Sequence, residues 1–461
     1  MFLVTAQLVS PLGSRAIGIW ANAFGDPYSL RIMQAAAQKL TAEGFHAICL
    51  TGGFPDAPFF RAGSARSCFG ALILLSATMR GFRPAALRAA ADFGELMISI
   101  GEELPGVSSV IANGETGVFQ AVAHLIKCHE RRQIAFIAAP EGSADGAQRL
   151  SAYRGALEYF GLPYDPSRII QGDYEALSGR EAVRQMRSGV GRAVDAIVAA
   201  NDLMAIGAVE ELRAQGLEVP RDVAVIGFDD LEEAAFTSPT LTTVRQPVHE
   251  QGFSAVELLI QRLRGERREV ETIVVPTPLV VRRSCGCRSE DGGGERRRPA
   301  GADVSLQELL EDALRRLIRR ELAARRLERE LSSVAEAILG ASGFAELAPV
   351  MSGVSELLRF KRFLLCVYDR DGRHTRVLLE SRGREVVPRS PPEAFAVEQL
   401  LPPGFLKPGE PTQAYVEPLS LMGEHFGYMV VEGDSSHAQA RFELRQYLSG
   451  ALGRIALKAA R

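Results

Sequence analysis

Two polar residues stand immediately after apolar segments that have the composition of buried strands. Asn201 follows DAIVAA and Asp229 follows AVIGF. Because ligands of open parallel sheets bind outside the carboxyl ends of the strands, this amide and this carboxylate are placed to hydrogen-bond a small molecule. Arg149, which precedes the helical segment AYRGALEYF, adds a planar guanidinium that can bind a hydroxyl or a carboxylate. The pattern predicts a binding site for a polar small molecule.

Further residues are candidates for lining the same cleft, and some have a structural alternative. They are Phe24, Asp26 and Tyr28, in the loop after the first strand, and Gln246, in a segment between two lobes. The aromatic rings of such a loop can cover the apolar face of a sugar. The Asn201–Asp202 pair at the strand end is also a good helix cap, which gives Asp202 a structural alternative, and Asp229 and Asp230 have an alternative interpretation as hinge or cap residues.

Metal and catalytic chemistry have little support in the sequence. Cys285 and Cys287 are separated by one residue, with no second Cys or His pair nearby, and the seven histidines show no ligand spacing. We therefore predict a structural role for both cysteines and no metal site. No nucleophile with its base, catalytic metal set or cofactor loop is recognisable, and the GGGERRR stretch at Gly292 is no phosphate loop, since no strand precedes it. The sequence predicts a protein that is not an enzyme and needs no cofactor.

The elements that position these residues alternate between strand and helix from Ala16 to about Val281. Apolar runs separated by amphipathic segments predict repeated strand–helix units and mostly parallel sheets covered by helices on both faces. The length suits two such sheets better than one. The predicted strands are AIGIW at Ala16, HAICL at His46, GALILLS at Gly70, LMISI at Leu96, QIAFIAA at Gln133, DAIVAA at Asp195 and DVAVIGF at Asp222.

The pattern changes after Arg282. Residues 286–304 read as a solvated linker, and residues 305–340 form a helical segment with Leu310, Leu317, Leu327 and Leu331 among apolar positions three and four apart. This stripe predicts a coiled-coil-like helix, although Glu321 interrupts it. Residues 341–461 read as a small α+β domain whose order of elements resembles a GAF-like sensory domain. The predicted organisation is an extension (1–15), a ligand-binding module (16–285), the linker, the helix and the α+β domain.

Composition limits the classes of partner. The net charge of −3 gives no basic field for nucleic acid, and 46% hydrophobic with 24% charged residues is typical of globular domains. The six cysteines are scattered, mostly inside apolar runs, which fits a reducing compartment. No export signal or membrane span is apparent, so we predict a cytoplasmic protein that does not engage a membrane.

The segment Ala196 to Pro247 resembles the LacI/GalR effector domain almost segment by segment. Upstream, DPYSLRIMQAAAQKLTAEG, NGETGVFQAVAHLI and AQRLSAYRGALEYFGL follow in the family's order, so that the resemblance covers about Ala16 to Cys287. It implies an α/β, two-lobed, periplasmic-binding-protein-like (type I) module with Arg149, Asn201 and Asp229 in the effector pocket. The ending LVVRRSCGC looks like the variant of this module that is fused to coiled coils, GAF-like domains and signalling outputs.

One departure from the family bears on function. Family repressors begin with a helix-turn-helix domain and a hinge helix, whereas the first strand here starts near Ala16. We therefore expect a homodimer that senses a sugar or nucleoside-like effector through lobe closure and passes the change to a separate output protein, without binding DNA by itself. The alternative is a LacI-type transcriptional regulator that acts on DNA directly or through a partner.

Overall fold

The structure, a computed structural model, describes two compact units. Unit 1 consists of Met1–Val110, Val248–Ile273 and Gly301–Arg461, and unit 2 of Ile111–Pro247 and Val274–Ala300. The residues described are 15–21, 27–51, 65–75, 83–188, 194–287, 330–369, 372–382, 384–421, 424–433 and 438–459.

The first part of unit 1 is a parallel sheet in the order β5-β4-β3-β1-β2, with a later strand, β11, beside β5. Strands β1 to β4 are buried at every position, as expected for strands with helices on both faces. The strands are β1 (Ala16–Ala21), β2 (His46–Thr51), β3 (Ala71–Leu75), β4 (Met97–Ile100), β5 (Ser108–Ala112) and β11 (Thr272–Val275). The helices are α1 (Pro27–Ala42), a single turn (Ala65–Cys68), α2 (Arg83–Phe93) and, from a later segment, α7 (Val248–Leu263).

Unit 2 is built on a second sheet, in the order β12-β10-β9-β8-β6-β7, which is parallel except for β12. Its strands are β6 (Ile134–Ala138), β7 (Ile169–Gln171), β8 (Ala196–Ala199), β9 (Ala224–Asp229), β10 (Thr242–Arg245) and β12 (Leu279–Val280). Its helices are α3 (Gly114–His129), α4 (Ala144–Tyr159), α5 (Ala176–Ser188) and α6 (Asp202–Ala214). Asn113, Ser143 and Asn201 cap α3, α4 and α6, each with a side-chain oxygen that accepts a hydrogen bond from a backbone N–H of the first turn.

The C-terminal part of unit 1 is an antiparallel sheet in the order β16-β17-β13-β14-β15. Its elements are α8 (Phe344–Leu357), β13 (Arg362–Tyr368), β14 (His374–Arg382), β15 (Glu385–Ala396), β16 (Gln413–Leu421), β17 (Glu424–Glu432) and α9 (Ala438–Ala459). Strand β16 also pairs in parallel with β2, so the C-terminal strands continue the first sheet of the same unit. The sequence pattern did not indicate this pairing.

Only the end of the predicted coiled-coil-like segment lies within the described residues. Residues 330–340 are helical, as predicted, but Leu331 and Ile338 are buried in the same core as α8 and α9. This part of the apolar stripe is therefore covered by its own chain. Residues 288–329, which include Leu310, Leu317 and Leu327, lie outside the described residues.

The strands predicted from the apolar runs are all present in the two parallel sheets. The prediction of two sheets in the ligand-binding module is confirmed as well, since the parallel strands divide between unit 1 and unit 2. Among the described helices, none is long and apolar enough to cross a membrane.

Candidate functional site

Four predicted site residues come from consecutive positions along the carboxyl edge of the sheet of unit 2. Asn201 follows β8, Asp229 ends β9 and Gln246 follows β10, while Arg149 lies on α4, the helix that follows β6. Because β6, β8, β9 and β10 are neighbours and parallel, all four residues meet at one edge. We refer to Arg149, Asn201, Asp229 and Gln246 as the strand-end cluster.

Arg149 is the cation of this cluster, and it is buried. It lies in the second turn of α4 and not before the helix as predicted, because Ser143 caps the helix six residues earlier. Its Nη1 donates a hydrogen bond to the carbonyl oxygen of Ala200 (2.6 Å), and its guanidinium carbon lies 3.8 Å from the centre of the Phe228 ring. Only 6% of Arg149 is exposed, and no carboxylate of the described residues pairs with it. A buried guanidinium of this kind favours a polar or anionic ligand.

Asn201 has two structural hydrogen bonds. Its Oδ1 accepts from the backbone N–H of Met204 (3.0 Å) and its Nδ2 donates to the carbonyl oxygen of Tyr174 (2.8 Å). Of the Asn201–Asp202 pair that the sequence indicated as a helix cap, Asn201 is therefore the capping residue. The amide retains one N–H and one lone pair for a ligand.

The acids beside the cluster differ in their surroundings. Asp202 is fully buried, and its carboxyl accepts from the Thr243 hydroxyl (2.6 Å) and the backbone N–H of Leu231 (2.8 Å). Burial, together with the nearby charge of Asp229, raises the pKa of Asp202 to about 8. Asp230, by contrast, forms ion pairs with Arg245 and Arg282.

Asp229 has an unusual backbone conformation. Its φ is +119°, a region that residues with a Cβ rarely adopt and that is found preferentially at functional sites. Gln246, which is 6% exposed, donates from Nε2 to Oδ1 of Asp229 (3.2 Å). The two side chains are thus oriented by each other at the end of β9 and β10.

The other predicted residues are not part of this cluster in the described structure. Phe24 and Asp26 lie outside the described residues. Tyr28 lies on α1 in unit 1, where its hydroxyl donates to Oε1 of Gln251 (2.9 Å). Their assignment to the pocket stays a prediction.

A second cluster was missed by the sequence analysis. His124 and His129 of α3 and Cys285 and Cys287 in the turn after β12 place one potential ligand atom each within 4.8 Å of one another. The expectation that Cys285 and Cys287 lack a histidine pair is wrong, because the fold closes a gap of about 160 residues. Burial lowers the pKa of both imidazoles, which favours the neutral form that binds metals.

The region of the chain that contains both clusters is similar to known proteins. Residues 122–285 match the periplasmic binding protein-like domain family. The chain is 34% identical over 275 residues to the HTH-type transcriptional regulator CelR of Thermobifida fusca. This alignment covers 57% of this chain and 77% of that protein.

Two solved structures have the same fold over a similar length. The transcriptional regulator CelR in complex with cellobiose is 32% identical, with a TM-score of 0.51, and the alignment covers 59% of this chain and 84% of that one. A LacI-family regulatory protein from Chloroflexus aggregans is 26% identical, with a TM-score of 0.52, over 58% of this chain and 98% of that one. The predicted resemblance to periplasmic-binding-protein-like effector domains is thereby confirmed. The chain belongs to the LacI family, and the part that shows it is an effector-binding domain.

Proposed function

We propose that this chain is a sensor that binds a sugar or nucleoside-like effector at the strand-end cluster and passes its ligand state to a transcriptional or signalling output. The observation that carries the proposal is Arg149, a guanidinium buried over Phe228 with only a backbone carbonyl as its polar partner among the described residues. A buried cation of this kind is stabilised by a ligand oxygen.

The chemistry of the cluster suits a polyol. Arg149 supplies donors, Asp229 supplies carboxylate oxygens that accept from hydroxyls, and the amide of Asn201 supplies one of each. Each hydroxyl of a sugar can both donate and accept, so neighbouring hydroxyls can satisfy both kinds of group. The similar structure of a complex with cellobiose supports including disaccharides among the candidates.

The signal needs a route to the C-terminal part of the chain. The proposal requires only that the effector bind one arrangement of the two units more tightly than another, since differential affinity sets the population shift. Within unit 1, Ala414 and Tyr415 of β16 pair with Ile48 and Cys49 of β2. We propose that this shared sheet carries a displacement of the first-lobe strands to the GAF-like domain, together with the helix that precedes it.

A regulator that acts on DNA, directly or through a partner, is the second candidate. The names of the similar proteins favour it, since CelR is described as an HTH-type transcriptional regulator. A footprint of the purified chain on its own promoter at physiological salt tests the direct form of this candidate. Protection of a discrete site would favour direct DNA binding, and none is expected from the chain alone.

The effector is tested by thermal shift with a panel of monosaccharides, disaccharides including cellobiose, and nucleosides, followed by calorimetry on the best ligand. We expect Arg149→Met and Asp229→Ala to weaken binding by about ten- to a hundredfold, because each removes a charge-assisted hydrogen bond of roughly 1.5 to 3 kcal/mol. Arg154→Met is the matched control, since Arg154 lies on the same helix but is exposed and stacks on Tyr164. If Arg149→Met and Asp229→Ala both bind as tightly as the wild type, the pocket assignment is wrong.

A further inference from the structure

His124, His129, Cys285 and Cys287 form a Cys/His cluster in which the potential ligand atoms lie close together. The two Nε2 atoms of the histidines are 3.3 Å apart. The Nε2 of His124 lies 3.4 Å from Sγ of Cys285 and 3.5 Å from Sγ of Cys287, and the Nε2 of His129 lies 3.4 Å from Sγ of Cys287. The same nitrogen of each ring therefore faces the centre of the group.

Hydrogen bonds alone do not account for this arrangement. An imidazole Nε2 carries either one proton or one lone pair, so it can serve one good hydrogen bond in the plane of the ring. The Nε2 of His124 nevertheless has three close neighbours, two sulfur atoms and a nitrogen. One cation at the centre satisfies all of these atoms at once.

The distances match those of a tetrahedral site. With Zn–N bonds of about 2.0–2.1 Å and Zn–S bonds of about 2.3 Å, the edges of a tetrahedron are about 3.3 Å between nitrogens and about 3.5 Å between nitrogen and sulfur. The observed separations are 3.3 Å and 3.4–3.5 Å. Four of the six edges of the group therefore have the lengths expected of a tetrahedral zinc site. The other two, from Cys285 Sγ to His129 Nε2 and to Cys287 Sγ, are no longer than 4.8 Å.

The turn that carries the cysteines is anchored to the sheet by Ser284. Its Oγ donates to the carbonyl oxygen of Val225 (2.6 Å) and accepts from the N–H of Thr242 (2.8 Å), at the start of β9 and β10. The next residue, Cys285, is fully buried in the core of unit 2. The position of the first sulfur is thus fixed independently of any ligand.

Gly286 allows the second cysteine to return to the same point. Its φ is +114°, which a residue with a Cβ rarely adopts, and a Cβ there would lie 2.8 Å from Nδ1 of His129. The glycine therefore lets the chain turn sharply and lets the imidazole pack against the backbone between the two cysteines.

We propose that His124, His129, Cys285 and Cys287 form a Cys₂His₂ site for a structural zinc ion. Two thiolates and two imidazoles are a ligand set that zinc prefers, and four protein ligands leave no open position for a substrate or water. The ion ties the turn after β12, the last described part of unit 2, to the C-terminal end of α3. This inference does not depend on the effector.

The test starts with the full chain, purified under reducing conditions without added metal and analysed for metal content by mass spectrometry. We expect one zinc ion per chain, and we expect chelator-treated protein to take up Co²⁺ with the visible absorption of a tetrahedral thiolate site. Cys287→Ser and His124→Gln should each lower the zinc content toward none. Cys128→Ser and His249→Asn are matched controls at exposed positions and should retain the full content.

A second readout does not depend on how the variants fold. In the wild-type chain, Cys287 should resist alkylation until a chelator is added, whereas the exposed Cys128 should react in both states. The proposal is overturned if the chain neither contains nor takes up metal when ZnCl₂ or CoCl₂ is supplied, or if folded Cys287→Ser and His124→Gln bind as much as the wild type. A disulfide between Cys285 and Cys287 in the freshly reduced chain, detected as a peptide mass that is two hydrogens lower, would also overturn the proposal.

Discussion

The strand-end cluster and the Cys/His cluster lie at opposite edges of one sheet and differ in how their polar groups are satisfied. Helix α3 runs between the two edges. At its first residue, Gly114, a Cβ would lie 3.6 Å from the Phe228 ring beneath Arg149, and at its last residue stands His129. At the first edge a guanidinium has one backbone partner, and at the second four ligand atoms converge on a point. The first arrangement leaves capacity for an exchangeable molecule, and the second is closed.

The two clusters also differ in how they constrain the chain. Three of the four strand-end residues end a strand or follow one within two residues, so their positions are set by local order along the sequence. The Cys/His cluster joins a helix to a turn about 160 residues away. The first kind of site suits a ligand that binds and dissociates. The second kind suits a bound ion that stabilises a tertiary contact.

The largest effect that separates the two edges is expected from Asp202, the buried acid beside the strand-end cluster. Its pKa in the folded state is raised from an ordinary value near 3.8 to about 8, so the folded chain retains a proton that the unfolded chain releases. The unfolding free energy should therefore fall as the pH rises between these values, by up to about 1.4 kcal/mol per pH unit, with the loss complete above about pH 8.

Asp202→Asn should remove this slope, because an amide does not titrate in this range and, like the protonated acid, offers both a donor and an acceptor. Calorimetric unfolding of both proteins from about pH 5 to about pH 8 measures the difference. Glu158→Gln, at an exposed position of α4, is the control and should keep the wild-type slope. Parallel pH profiles for wild type and Asp202→Asn would show that Asp202 is ionised in the folded state.

A smaller effect is expected at the Cys/His cluster from Gly286→Ala. The added methyl group meets the His129 ring at a φ of +114°, and strained backbone of this kind costs about 1–3 kcal/mol. Chemical denaturation of the two proteins gives the loss directly. The matched control is Gly155→Ala in α4, where a Cβ meets nothing within 4 Å and a gain of up to about 1 kcal/mol is expected. Equal stability of wild type and Gly286→Ala would indicate that the turn is not held as described.

The smallest effect is expected from Asn201, which belongs to the strand-end cluster but also caps α6. Asn201→Ala should lower the unfolding free energy by about 1 kcal/mol without any ligand, because the N–H of Met204 loses its acceptor. Asn201→Asp keeps that acceptor and should recover most of the loss in a denaturant titration. If both variants are equally unstable, the hydrogen bond to Tyr174 and not the cap is the main contribution of this side chain.

Much of the strand-end cluster could be predicted from sequence, and its details could not. The apolar runs before Asn201 and Asp229 indicated buried strands, and the ends of parallel strands meet at one edge, so proximity followed from local pattern. The exact start of α4 depends on the Ser143 cap. Because the helix begins directly after Ser143, Arg149 lies inside it and not before it. Which of Asn201 and Asp202 caps α6 depended on burial, since Asp202 turns inward to Thr243.

The sequence by itself determined the alternation of strands and helices, the parallel sheets and the family to which the effector-binding domain belongs, because periodicity and strand-end residues are local properties. Only the tertiary structure decided that Leu331 and Ile338 are covered by their own chain, that β16 pairs with β2, and that His124 and His129 meet Cys285 and Cys287. Each of these joins residues far apart in sequence. The spacing of residues along a chain does not indicate which distant segments pack together, because this packing depends on the burial of whole surfaces.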